Sequence, residues 1–283
     1  MLEASNIVIF YMKKAPLLII IIFLVAAITA IWFYAPLRSL AIMSFYSTIH
    51  SNNSKMVDNE FKIKIPSGKE TPERDWSPLV MTFNADYFKT RNGEIEGMSI
   101  LYNFPAFNLR TGQNPFFDPE SPYNSSFYGA YVVESSNGVA FGYGENEEIN
   151  YDEILHAFRY DYVNLVLADL GEKNFEFSVK TSVASKEKYL GYYGWEKINA
   201  EVQTNSVSHI STRFRQNYIQ YGSPPKSSRE HFPGITMYGR LYIRYFPEFN
   251  STVIMYVMSP DIDVINNCDE NLLSKSEIID KRK

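Results

Sequence analysis

The sequence contains few of the residues that build covalent and metal-based sites. A single cysteine, Cys268, is present among the 283 residues, so no intramolecular disulfide can form and a cysteine-based zinc or iron–sulfur site within one chain is excluded. The four histidines, His50, His156, His209 and His231, lie far apart in the chain. We interpret each of them as structural or exposed, and we predict neither a metal site nor another cofactor.

Common catalytic motifs are also missing. The chain has no Gly-x-Ser-x-Gly elbow, no Walker loop, no His-Glu-x-x-His helix and no dinucleotide-binding fingerprint. Ser185 and Lys188 have the spacing of serine acyl-transfer enzymes, but the accompanying Ser-Asp-Asn element is absent. Glu153 and His156 have the spacing of half a di-iron carboxylate site, which would need a four-helix bundle. We interpret both as chance matches and predict no catalytic residue.

Clusters of positive charge are lacking as well. Residues 57–283 carry 23 basic and 31 acidic side chains, a difference of −8. A protein that binds nucleic acid needs grouped lysines and arginines to neutralise phosphates. Nucleic acid is therefore not an expected partner.

The most informative feature that is present is a long apolar run near the start of the chain. Residues 15–35 are 21 consecutive uncharged positions, of which twelve are Leu, Ile, Phe or Val. A helix of this length covers about 31 Å, which matches the hydrocarbon core of a bilayer. The run predicts a transmembrane helix over residues 15–36, with the lipid bilayer as a partner. A cleaved secretory signal is the alternative, but its apolar core would be only about 7 to 15 residues long.

The basic residues that flank the span predict its orientation. Lys13 and Lys14 precede it and Arg38 follows it, so the short N-terminal side is expected inside and the large domain outside. In a bacterium this corresponds to an inner-membrane protein with a periplasmic domain. The predicted organisation is a cytoplasmic tail (1–14), the span (15–36), a juxtamembrane helix and linker (37–56), an extracytoplasmic domain (57–264) and a polar C-terminal tail (265–283) that frays at its end.

Alternation of apolar and polar residues predicts β-strands through most of the domain. Strand patterns occur at residues 61–65, 79–84, 95–102, 128–133, 139–143, 174–181, 198–210, 212–221, 235–246 and 251–258. The dipeptides Asn92-Gly93 and Asn137-Gly138 predict tight hairpin turns, because both residue types tolerate positive φ. The strands are therefore expected to pair largely antiparallel.

Residues 151–170 have the pattern of an amphipathic helix, with apolar residues at three- and four-residue steps. Asn150 can cap its N-terminus, Glu153 can complete a capping box, and Gly171 can end it. A helix with one apolar stripe packs against a sheet. The expected fold class is α+β, with a mixed, mostly antiparallel sheet and one main packed helix over 151–170.

Aromatic residues suggest where the domain contacts a partner. They concentrate in a proline-rich loop over residues 103–126 and in the segment Gly191–Trp195. The candidate protein-binding residues are Phe116, Phe117, Tyr123, Tyr192, Tyr193 and Trp195. Tyrosine and tryptophan frequently anchor protein interfaces. The alternative interpretation is that these rings cover the ends of the sheet core.

Two classes of function remain open. The first is a non-catalytic, membrane-tethered domain that binds another protein, as an envelope accessory factor or as an immunity-type protein that neutralises a toxin. The second is a membrane-tethered hydrolase whose site is assembled from scattered residues. The missing motifs favour the first class, whereas a deep pocket with converging carboxylates or a Ser–His contact would favour the second.

Overall fold

A computed structural model of the chain describes residues 16–30, 41, 45, 48–49, 61–66, 76–84, 95–105, 115–116, 118–136, 138–144, 146–167, 174–207 and 232–283. Residues 16–30 are helical and their side chains are exposed. Within the described ranges, no helix has both the length and the apolar character needed to cross a membrane. Residues 15 and 31–36 of the predicted span lie outside the described residues, as do the predicted tail over 1–14 and most of the linker over 37–56.

A seven-stranded antiparallel sheet forms the centre of the domain. The strands in chain order are β1 (Phe61–Lys64), β2 (Trp76–Asn84), β3 (Ile95–Pro105), β4 (Phe127–Ser135), β5 (Phe175–Ala184), β6 (Glu196–Asn205), β7 (Gly234–Phe246), β8 (Ser251–Ser259) and β9 (Glu277–Asp280). The spatial order in the large sheet is β2-β3-β4-β8-β7-β6-β5, while β1 and β9 form a separate two-stranded sheet. The fold is α+β with a mostly antiparallel sheet and few helices, as predicted.

Helix α1 (Tyr151–Asp161) and the π-helical turn that continues it (Tyr162–Val166) cover one face of the sheet. Phe158 packs against the ring of Tyr131 on β4, with 4.4 Å between ring centres. The predicted N-cap is confirmed, because the Asn150 side chain accepts the backbone N–H of Glu153 at 3.2 Å. The predicted capping box is incomplete: the Glu153 carboxylate instead accepts the backbone N–H of Gly142 at 2.8 Å. That bond ties the helix to the preceding turn.

Helix α2 (Ile262–Asn271) and the small β1–β9 sheet cover the opposite face. Val264, Ile265 and Cys268 are buried there together with apolar residues of β4 and β8. The expectation that the chain frays at its C-terminal end is wrong, since β9 pairs antiparallel with β1. The end of the chain is rich in polar residues, and its apolar residues at helical spacing are too few to predict a helix. These apolar residues are nevertheless buried.

The predicted hairpins have different outcomes. The strands predicted at 79–84 and 95–102 pair as β2 and β3, and those at 235–246 and 251–258 pair as β7 and β8. The strand predicted at 139–143 is wrong, because this segment forms turns in which Gly142 has a φ of +79°. β4 pairs instead with β3 and β8. The predicted strand at 212–221 lies outside the described residues.

Candidate functional site

The described aromatic residues of the 103–126 loop contribute to the core. Phe116 is 3% exposed, and its ring meets that of Phe104 edge-on at 5.1 Å. Tyr123 is half-buried and meets the ring of Trp76 at 5.5 Å. Phe117 lies outside the described residues. Little of Phe116 is therefore available to a partner, as the core-covering interpretation expects.

The second aromatic group lies on the connection between β5 and β6, residues 185–195, which we call the aromatic tip. Tyr189 and Tyr192 exchange backbone hydrogen bonds of 2.9 and 3.0 Å and so close a tight turn. Gly191 has a φ of +85° within this turn, a conformation that other residues adopt only with strain. Gly191 therefore shapes the turn that positions Tyr192.

Only one of the four rings at the aromatic tip, that of Tyr193, is largely exposed. Trp195 is 1% exposed, and Tyr192 is half-buried against Phe246, with 5.1 Å between ring centres. Tyr193, in contrast, is 61% exposed. The tip thus combines a buried tryptophan as support with a tyrosine that points into solvent.

Two cations hold this exposed tyrosine. Nε of Arg244 donates to the backbone carbonyl of Tyr193 at 2.7 Å, while the guanidinium carbon lies 4.0 Å from the ring centre of Phe246. Nζ of Lys188 lies 5.0 Å from the ring centre of Tyr193. Cations over aromatic faces are attracted by the ring quadrupole. Arg244 therefore holds the backbone of Tyr193, while Lys188 lies over its exposed ring.

A second polar arrangement, the Asp269 network, joins α2 to the sheet. Oδ2 of Asp269 accepts from NH1 of Arg240 and from the hydroxyl of Tyr242, each at 2.8 Å. The Lys197 ammonium lies 3.9 Å from the same oxygen. Partial burial, together with the charge of Arg240, lowers the pKa of Lys197, although Asp269 opposes this shift. All of these groups are occupied with one another, so the network is a structural connection.

Asp161 forms a third arrangement, at the point where α1 passes into the π-helical turn. It is 2% exposed, and its Oδ2 accepts hydrogen bonds from the hydroxyls of Tyr102 on β3 and Tyr131 on β4, the latter at 2.8 Å. Among the described residues, no group forms a hydrogen bond with its Oδ1. Burial raises the pKa of Asp161 well above its usual range, because the charged form loses its hydration. π-Helical turns inside α-helices are frequent at functional sites.

Two adjoining cavities lie beside α1 and the π-helical turn, and Asp161 lines one of them. The inner one, which we call the Asp161 cavity, has a volume of about 70 Å³ and is lined by Met81, Phe83, Tyr160, Asp161 and Asn164. The outer one has about 230 Å³ and is lined by His156, Arg159, Tyr160, Val163 and Asn164. Because Tyr160 and Asn164 line both, the two cavities are neighbours.

The arrangements expected of a hydrolase or a metalloenzyme are not found in the described part of the chain. No group of three His, Cys, Asp or Glu side chains there is placed to hold a metal ion. Asp161 is the one carboxyl group among the described lining residues of the two cavities. His156 is exposed, and the carboxylate of Glu153 is directed to Gly142. The Glu153-x-x-His156 spacing therefore does not assemble a site.

Sequence reasoning missed Asp161, although the chain contains a signal for it. Asp161 follows Phe158 by three positions and Ile154 by seven, which places an acidic side chain on the apolar stripe of the helix. An acid at such a position must find hydrogen-bond donors, because unpaired burial of a carboxylate is unfavourable. The two tyrosines that supply the donors come from strands far away in the sequence.

Comparison of the chain with protein-family models, with curated proteins and with solved structures finds no match. No residue role can therefore be carried over from a relative, and a fold class alone does not define an activity.

Proposed function

We propose that this chain is a single-pass membrane protein, with an uncleaved anchor over residues 15–36, whose α+β domain lies in the periplasm and binds another protein without catalysis. An envelope accessory factor and an immunity-type protein that neutralises a toxin both fit this description. The apolar run and its flanking charges support the anchor and its orientation. The exposed apolar side chains of the helical residues 16–30 are consistent with a lipid environment.

The observation that carries the binding proposal is the exposure of Tyr193 on a hydrogen-bonded turn. Because Arg244 holds the backbone of Tyr193 and Lys188 lies over its ring, this tyrosine loses less conformational entropy when a partner covers it than a tyrosine on an unsupported loop would. Tyrosines of this kind are enriched among residues that dominate interface energies. Neither cation is ion-paired to a carboxylate within the described ranges, which favours a partner that offers acidic or carbonyl groups around an apolar pocket.

A membrane-tethered hydrolase is the second candidate. Asp161 favours it to a limited extent, because a buried carboxyl group with a raised pKa beside a cavity can act as a general acid. We rank it second because the described lining residues include no nucleophile and base in contact with each other.

Membrane attachment is tested by alkaline carbonate extraction of membranes that contain the full chain. We expect the protein in the membrane pellet. Replacement of Ile20, Ile21 and Ile22 by aspartate adds about 2.5 to 3.5 kcal/mol per residue to the insertion free energy, so this variant is expected in the supernatant. Replacement of the same residues by leucine is the control and leaves the distribution unchanged. Wild-type protein in the supernatant, with a mature N-terminus near Ile31, would contradict the anchor.

Partner binding is tested by co-purification from detergent-solubilised native membranes, followed by mass spectrometry. Tyr193→Ala is expected to lower retention of the partner by more than tenfold, because hot-spot residues contribute about 2 kcal/mol or more. Tyr151→Ala is the matched control, since Tyr151 is an exposed tyrosine at the start of α1 and not at the tip. Equal retention by both variants would place the interface elsewhere. Failure of the wild type to retain any protein, combined with activity in a hydrolase screen, would favour the second candidate.

A further inference from the structure

We propose that β5 pairs edge to edge with β5 of a second copy of this chain, antiparallel and with Ser178 on the twofold axis. The two seven-stranded sheets then form one continuous sheet across the dimer. This inference is independent of the partner-binding proposal, because the paired stretch lies along β5, whereas the aromatic tip begins only after β5 has ended.

The first argument is the position of β5 at the edge of the sheet. β5 stands last in the strand order and, among the described strands, pairs with β6 alone. The outer N–H and C=O groups of an edge strand can pair with another chain. The opposite edge strand, β2, contains Pro78, which has no N–H to donate and so disfavours pairing. β5 contains neither proline nor glycine, so it is the edge better suited to pairing.

The second argument is the composition of β5. Phe175, Phe177 and Val179 alternate with polar residues, and aromatic and β-branched residues favour strands. Phe177 and Val179 are only partly buried against the core, so a neighbouring strand would cover more of both. Lysines and bulges commonly protect edge strands. In β5 both occur at one place, at Lys180 and the register shift between Val179 and Thr181, so the stretch before them lacks this protection.

The third argument identifies the partner, because the exposed face of β5 is complementary to itself. Glu176 and Lys180 are exposed, carry opposite charges and lie two residues to either side of Ser178. In an antiparallel pair centred on Ser178, Glu176 of each copy lies directly opposite Lys180 of the other. Phe177 likewise meets Val179, so apolar residues face apolar residues. Twofold symmetry makes each of these contacts occur twice.

Other registers of the same pair are less favourable. If both copies keep the same face of the sheet toward α1, the pair must be centred on a residue, because opposite residues share a face. A pair centred on Glu176 would place two like charges opposite each other. A pair centred on Phe177 would place Glu176 opposite Ser178, without a cation. The register shift after Val179 disrupts regular pairing beyond it.

Lys180 already has a partner within its own sheet. Its Nζ lies 2.8 Å from Oε2 of Glu201, but its side chain remains 50% exposed. It can therefore also contact a carboxylate of the second copy. The paired stretch spans only residues 176–180 of each copy and is smaller than a standard protein interface, so the expected dimer is reversible.

Cysteine crosslinking of the full chain in detergent tests this geometry. Ser178→Cys places a thiol on the axis, where opposite Cβ atoms lie about 4.5–5.5 Å apart, so oxidation is expected to join two copies at twice the mass of the chain. Gln203→Cys is the matched control, because Gln203 is exposed on the same face of β6. It lies at least about 14 Å from its counterpart and should crosslink about tenfold less. Cys268 is buried in both variants.

Charge exchange in the Ser178→Cys background tests the register and the partner together. Glu176→Lys makes positions 176 and 180 both positive, and Lys180→Glu makes them both negative. Each variant alone opposes like charges and is expected to crosslink about fivefold less. A mixture of the two variants, which carry different affinity tags, opposes unlike charges at both contacts. It is expected to form mixed dimers as efficiently as Ser178→Cys alone.

Three results would overturn the proposal: equal crosslinking at positions 178 and 203, undiminished crosslinking of either charge variant alone, or no recovery in the mixture. If Lys180→Glu does not fold because Glu201 repels the new carboxylate, Lys180→Glu combined with Glu201→Lys restores the internal ion pair and takes its place. In native membranes, a product of Ser178→Cys with a different mass and no dimer would show that another chain occupies this edge, and would equally reject the second copy.

Discussion

Replacement of Gly129 by alanine is expected to lower the free energy of unfolding by about 4 kcal/mol or more, the range of the most damaging single substitutions. Gly129 lies on β4 between Tyr102 of β3 and Tyr256 of β8. A Cβ atom at this position would lie 1.7 Å from the backbone oxygen of Leu101 and 2.8 Å from its carbonyl carbon. Both neighbours are backbone atoms of a central strand, so the contact can be relieved only by moving the strands apart.

The same substitution would also disturb a buried hydrogen bond. The Tyr256 hydroxyl donates to the Leu101 carbonyl at 3.0 Å, and it lies 3.2 Å from the position of the added Cβ. Separation of β3 from β4 would therefore weaken the backbone ladder and leave a buried hydroxyl without its acceptor. The effect is large because one added methyl group disturbs both the backbone ladder between β3 and β4 and the hydrogen bond of the Tyr256 hydroxyl.

The measurement for Gly129→Ala is urea unfolding of the full chain in detergent, followed by tryptophan fluorescence and linear extrapolation. Gly239→Ala is the matched control, because Gly239 is also buried in a central strand. Its added Cβ would meet nothing closer than 3.5 Å, at Cδ1 of Leu241. We expect the control to change the free energy of unfolding by no more than about 1 kcal/mol, in either direction. Similar stabilities for the two variants would contradict the close strand approach.

The sheet could be predicted well because its strands carry local signals. The alternation in 174–181, with Phe175 and Phe177 on one side, corresponds to the edge strand β5, where exposure also alternates. The central strands β4 and β8 are buried on both faces, so their runs of apolar and aromatic residues are also recognisable. The order of the strands has no local signal, since β4 pairs with β8 across more than a hundred residues.

The candidate sites were predictable only in part, because each depends on contacts between distant segments. The Gly-Tyr-Tyr-Gly-Trp motif identifies the aromatic tip, but the sequence does not reveal that Tyr193 is the exposed ring and Trp195 the buried one. Which ring is buried and which is exposed depends on how Phe246 and Arg244, which lie on β7, pack against the tip. Similarly, the tyrosines that bind Asp161 lie 59 and 30 residues before it.

Replacement of Asp269 by alanine is expected to lower the free energy of unfolding by about 3 kcal/mol, because removal of one partner from a buried ion pair leaves the other charge uncompensated. Asp269 is buried, and the Arg240 side chain that it binds is only 16% exposed. Arg240 would keep its contacts to Asn199 and Asn266, but both are neutral. Tyr242 would lose its acceptor, and its hydroxyl cannot compensate by ionising because burial raises its pKa.

Urea unfolding of the full chain checks this prediction, with two comparisons that separate its causes. Asp269→Asn retains an acceptor for Tyr242 but removes the charge, so its loss of stability is expected to lie between the wild type and the alanine variant. Glu201→Ala removes a carboxylate from the ion pair with Lys180, whose side chain is half exposed, and should change stability by less than about 1 kcal/mol. If Asp269→Ala is no more destabilising than Glu201→Ala, α2 is held by apolar packing and the Asp269 network contributes little to stability.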